Sequence, residues 1–159
     1  MEIYLIRHGI AAERGSYDRD EDRPLTEKGR QRTKKVALRL HEIGLRWETI
    51  FTSPLVRAQQ TAQILQEVGL GTTVVEFPAL APDGDVQALV NWLETNQCRG
   101  AAFIGHQPDL GNWAEILVSG KIEAKLVVKK AGIIGLKVPE TQPSGNSKLF
   151  LLTSPKWLI

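Results

Sequence analysis

The sequence predicts an α/β fold of three layers: a mainly parallel central sheet, helices on both faces and a C-terminal antiparallel hairpin. Three observations carry that prediction. Short continuous apolar runs, such as Ile3-Tyr4-Leu5-Ile6 and Ala101-Ala102-Phe103-Ile104, read as strands buried on both faces. They alternate with segments of helical periodicity, the pattern of a parallel sheet covered on both sides. The last two strand-like segments flank a Pro-Ser-Gly-Asn turn region, so they pair as a hairpin.

Residues 2–7 form the first strand, and the polar stretch from Gly9 to Arg23 reads as a long loop because it lacks apolar periodicity. Loops of that length in small domains are functional or disordered. The first helix begins at Pro24-Leu25-Thr26-Glu27, with Thr26 as its cap, and Gly44 ends it. Thr49–Thr52 is a short second strand. Ser53-Pro54 then reads as a helix start, a hydroxyl cap followed by proline at the first helical position, with Gly69 at the far end. Thr73–Phe77 is a third strand and Pro78–Asp85 a turn-rich connection. A helix from Asp85 to about Gln97 leads to the strand Ala101–Gly105, and Pro108 opens a helix that stops near Gly120. Ile133–Val138 and Lys148–Thr153 close the chain.

The 159 residues, 42% of them apolar, fit one domain spanning 1–159, without repeats or low-complexity segments. The single cysteine, Cys98, excludes a disulfide framework and a thiolate metal cluster. Twenty Lys plus Arg against 18 Asp plus Glu leave a net charge of +2, too small to argue for a nucleic-acid partner. The sequence shows neither a leader segment nor a long apolar run, so the expectation is a cytoplasmic protein without a membrane partner.

In an open parallel sheet, ligands bind beyond the carboxyl ends of the strands. Arg7 and His8 follow the first strand, Ser53 and Arg57 the second, and His106 the fourth. Topology would gather them at one edge. Two guanidinium forks beside a helix N-terminus suit a dianionic oxyanion such as phosphate. Two histidines in that setting point to phosphoryl transfer: one imidazole attacks phosphorus and the other neutralises oxygen charge, with no metal and no cofactor. The attacking imidazole must be neutral, a form that neighbouring arginines favour and bound phosphate opposes.

The ordered segments "LIRHG", "TSPLVRAQQTA" and "IGHQP" resemble the histidine phosphatase superfamily, the phosphoglycerate mutase-like fold. Within it, the short chain, "DRPLTEKG", "LAPDGD" and "LLTSPKWL" are similar to the SixA-type phosphohistidine phosphatases. The resemblance implies that His8 is the nucleophile, that Arg7 and Arg57 clamp phosphate and that His106 completes the pocket. It also implies that Arg23 reaches the phosphate. Gly9 would let the backbone turn beside it, and Ser53, read first as a cap, would contact it secondarily.

Larger relatives carry an acidic proton donor after the third strand, where this chain has Ala79 and Ala81; Asp83 and Asp85 are the candidates for a substitute, and the spacing assigns the role to neither. An alkoxide leaving group needs such a donor, whereas a phosphorylated imidazole can be protonated on its own second nitrogen. A site without a dedicated acid therefore favours P–N over P–O substrates, and the resemblance implies a signalling phosphatase that removes phosphate from a histidine-containing phosphotransfer protein through a phosphohistidine enzyme. A small-molecule phosphomonoesterase or mutase, and a non-catalytic phosphate-binding module, are the alternatives.

Other features read as structural. His41 sits late in its helix, where a cation suits the dipole. Asp18–Asp22 reads as a solvated loop, lacking calcium-loop spacing. Lys121–Lys130 reads as solvated surface, with docking of an acidic partner the lesser reading. The four tryptophans read as packing residues, and Cys98 as inert.

Overall fold

The computed structural model describes residues 1–159 and contains six strands and four α-helices. In chain order these are β1 (Glu2–Arg7), α1 (Glu27–Glu42), β2 (Trp47–Thr52), α2 (Val56–Glu67), β3 (Gly71–Glu76), α3 (Val86–Thr95), β4 (Gly100–Gly105), α4 (Asp109–Ser119), β5 (Ile133–Lys137) and β6 (Lys148–Thr153). The strands form one sheet in the order β3-β2-β4-β1-β5-β6. The first four of that order run parallel, and β5 and β6 are antiparallel additions beyond β1.

Strand alternation explains why the central runs are apolar throughout. Ile3, Leu5 and Phe103 face one side of the sheet and pack with Leu89 and Leu93 of α3 and Leu110 and Leu117 of α4. Tyr4, Ile6, Ala102 and Ile104 face the other and pack with Val36 and Leu40 of α1 and Ala58 and Leu65 of α2. A half-polar strand would leave one of these two cores unfilled. On the first side, Phe51 stacks on Phe103 with centroids 5.0 Å apart, and Trp92 meets both rings edge-on.

β6 lies at the sheet edge, so Phe150 and Leu152 are exposed rather than buried. Phe150 lies across Gly135 of β5, where a Cβ would come within 2.7 Å of the ring.

Pairing between β1 and β4 sets the site. Arg7 stands opposite Gly105, so the next residues, His8 and His106, leave adjacent strands at one level. The amide of His8 donates to the Gly105 carbonyl at 3.1 Å, extending the ladder by one rung.

One helix start matches the sequence expectation and one differs. Thr26 caps α1 as expected, accepting from the Gly29 amide. α2 begins at Val56 with Leu55 at the cap position, so Ser53 and Pro54 precede the helix. The Ser53 hydroxyl accepts from the Leu55 amide at 3.2 Å, a turn rather than a cap, because its other contact is with His106. Trp157 departs further: Trp47 and Trp113 are buried, but Trp157 is 77% exposed and packs against nothing that would hide it.

Candidate active site

A cavity of about 610 Å³ opens at the carboxyl edge of β1, β2 and β4. Its walls include Arg7, His8, Arg23, Arg57 and His106, so the structure brings together the five principal residues expected from the sequence. Asp83 also lines it. Asp85 does not, because its carboxylate caps α3 by accepting from the Gln87 amide. Gly9 and Ser53 lie behind the wall.

His8 is buried, and its Nδ1 lies 2.6 Å from the Gly9 carbonyl oxygen. A carbonyl accepts only, so Nδ1 carries the proton and Nε2 keeps its lone pair. Burial pushes the His8 pKa down to about 3, and His106, Arg57 and Arg7 lower it further against the contrary pull of the Gly9 carbonyl. The His106 ring lies 5.1 Å away, centroid to centroid. Its Nε2 is 2.8 Å from the Ser53 hydroxyl, and its Nδ1 has no protein partner. Burial, with Arg57 next, pushes His106 down to about 4.

Gly9 supports His8 from behind. Its amide donates to Thr61 Oγ1 at 3.0 Å, and Thr61 in turn donates to the Arg57 carbonyl at 2.8 Å. One buried hydroxyl thus ties the end of β1 to the first turn of α2. A Cβ on Gly9 would lie 2.3 Å from Thr33 Oγ1, so the position excludes side chains.

The arginines are held in different ways. Arg7 Nη1 donates to the Val128 carbonyl at 3.2 Å, while its buried Nε has no partner. Arg57 donates from Nη1 to the Asp20 carbonyl at 2.9 Å and from Nη2 to the Asp20 carboxylate at 3.0 Å. Arg23 Nε donates to the other carboxylate oxygen of Asp20 at 2.8 Å. Burial raises the Asp20 pKa, but hydrogen bonds and charge from Arg23 and Arg57 outweigh it and hold the carboxyl below its usual range.

That geometry corrects the reading of Asp18–Asp22 as a solvated loop. Asp20–Asp22 forms a 3-10 turn that folds back over α2 and places Asp20 between two cavity arginines. No local pattern announces this, since the contact spans 37 residues of chain. The basic segment is likewise divided: Lys121 and Lys125 pair with Glu123 at the surface, whereas Lys130 lines the cavity. Asp109, also missed, accepts from the Asp83 amide at 2.8 Å and steadies a backbone with φ of 64° at Asp83.

Paired imidazoles, each with a ring nitrogen that has no protein partner, stand beside three arginines, an arrangement with the chemistry to hold a phosphoryl group. The chain belongs to the histidine phosphatase superfamily: residues 3–81 match the profile of its branch 1. Its fold is SixA-like. Superposition on the protein histidine phosphatase SixA complexed with tungstate gives a TM-score of 0.89 at 26% identity, covering 100% of both chains.

An uncharacterized protein of Picosynechococcus sp. is 51% identical over 164 residues, covering 100% of this chain and 99% of that protein. The mitochondrial serine/threonine-protein phosphatase Pgam5 of Drosophila persimilis is 37% identical over 112 residues, covering 70% of this chain. The match covers only 32% of that relative's length. Family membership supports phosphatase activity. No helix is long and apolar enough to cross a membrane.

Proposed function

We propose that the chain is a protein phosphohistidine phosphatase acting on a histidine-containing phosphotransfer protein. The observation that carries this reading is the free Nε2 of a buried, neutral His8 facing a cavity rich in arginine. In the first step His8 Nε2 attacks phosphorus, the substrate P–N bond breaks, and the departing imidazole keeps a proton on its second nitrogen. Arg7, Arg57 and Arg23 take the phosphoryl oxygens, and His106 Nδ1 donates to one of them. Water then attacks the phosphohistidine enzyme, returning His8 and releasing inorganic phosphate. No step calls for a metal or another cofactor.

The SixA-like fold over the whole chain supports the protein substrate, as does the lack of an acid at Ala79 and Ala81. One observation favours a phosphomonoester instead: Asp83 and Asp109 stand in the cavity wall, and burial raises the Asp109 pKa toward that of a proton donor. Incubation with a phosphohistidine phosphotransfer domain and, separately, with sugar phosphates distinguishes the readings. Acid-labile label trapped on the protein and lost in His8→Ala is expected with the first substrate. Turnover of the sugar phosphates alone would overturn the assignment, and phosphate binding without label would make the chain a binding module.

A further inference from the structure

Beside the phosphate cavity lies a second one, of about 450 Å³, that the reaction does not use. Its walls carry Arg7, Arg32, Lys129, Lys130 and Lys156 and no carboxylate. Arg7 and Lys130 border both cavities, so the two adjoin. The cations come from four separate places in the chain: the end of β1, α1, the segment before β5, and the C-terminal turn after β6. None of Arg32, Lys129, Lys130 or Lys156 takes part in an ion pair. Burial, and then the nearby charges of Arg7, Arg23 and Arg14, depress the Lys130 pKa, so the lysine shared by the two cavities stands in a positive field.

Such a cluster lowers the potential energy of an anion brought to it. At its edge Lys156 Nζ lies 5.1 Å from the centre of the Trp157 ring, and that ring is 77% exposed. An exposed tryptophan beside unpaired cations has the chemistry of a protein-docking surface, where aromatic anchors dominate.

We infer that this second cavity docks carboxylate side chains flanking the phosphohistidine of the partner protein, and so selects acidic phosphoproteins. The inference rests on the protein-phosphatase reading above. The anions are carboxylates of the partner itself, since the cavity continues directly from the place where its phosphoryl group would sit.

The test uses synthetic phosphohistidine peptides of equal length, flanked either by glutamates or by glutamines. The wild-type chain should turn over the glutamate peptide with a KM lower by about tenfold and a similar kcat, as a few partly exposed ion pairs provide. The variant Arg32→Ala/Lys129→Ala/Lys156→Ala should lose that preference while cleaving phosphoimidazole at the wild-type rate, which also shows that it folds. Equal KM values in the wild type, or a preference that survives the triple substitution, would overturn the inference. If neither peptide is cleaved while sugar phosphates are, the protein-phosphatase reading falls and the inference falls with it.

Discussion

Asp20 holds Arg57 at two points, accepting through its carbonyl at 2.9 Å and through its carboxylate at 3.0 Å. The second contact sets a negative charge on a guanidinium that the proposed reaction needs for phosphate. The backbone contact does not depend on the side-chain charge, whereas the carboxylate competes with an anionic substrate for Arg57 and Arg23. Asp20→Asn should therefore bind inorganic phosphate more tightly by about fivefold, in keeping with loss of one partly exposed like-charge interaction. Product inhibition curves check this, and unchanged inhibition would show that Asp20 only positions the arginines.

Ser53 connects His106 to the backbone before α2. Ser53→Ala removes the hydrogen bond to His106 Nε2 and the acceptor for the Leu55 amide. The expected result is a fall in kcat of about tenfold and a loss of stability of about 1 kcal/mol. Single-turnover phosphorylation of His8 together with urea denaturation measures both, and an unaltered kcat would mean that Ser53 does not orient His106.

Thr61 is the buried link between the end of β1 and α2. Thr61→Val keeps its volume but leaves the Gly9 amide unpaired, at a cost of about 1–3 kcal/mol. Thr61→Ser should restore most of it. Equal stability of the valine and serine variants in chemical denaturation would contradict this account.

The imidazoles make stability depend on pH. Burial holds His8 at about 3 and His106 at about 4, both below the ordinary 6.5. The unfolded chain then takes up more protons on acidification, so stability present above the ordinary value is lost as pH falls toward the folded ones. The slope reaches about 2.7 kcal/mol per pH unit when both groups titrate in the unfolded chain only. Melting curves should show Tm dropping from about pH 6.5 downward, less so in His8→Ala/His106→Ala. A Tm independent of pH in that range would refute the burial argument.

Much of the framework was legible because a strand buried on both faces must be apolar throughout, as Ile3–Ile6 and Ala101–Ile104 are. Arg7, His8, Arg57 and His106 could be placed at one edge by topology alone. Asp20 could not, since its charged neighbours carry no periodicity and its partner Arg57 is distant in sequence. The start of α2 departs from the sequence pattern because Ser53 uses its hydroxyl for His106 as well as for the backbone, a contact invisible before folding. Trp157 shows the same limit: its size argues for burial, yet the turn after an edge strand leaves it no core to enter.

The pairing of Arg7 with Gly105 has a consequence for divergence within the fold. The spacing of the two imidazoles is inherited from neighbouring strands of one sheet, so it does not depend on the loops that surround them. Insertions between residues 9 and 23, or between 78 and 85, alter what reaches the histidines and leave their separation unchanged. Descendants of such a chain can change substrates by exchanging loops while the pair stays fixed.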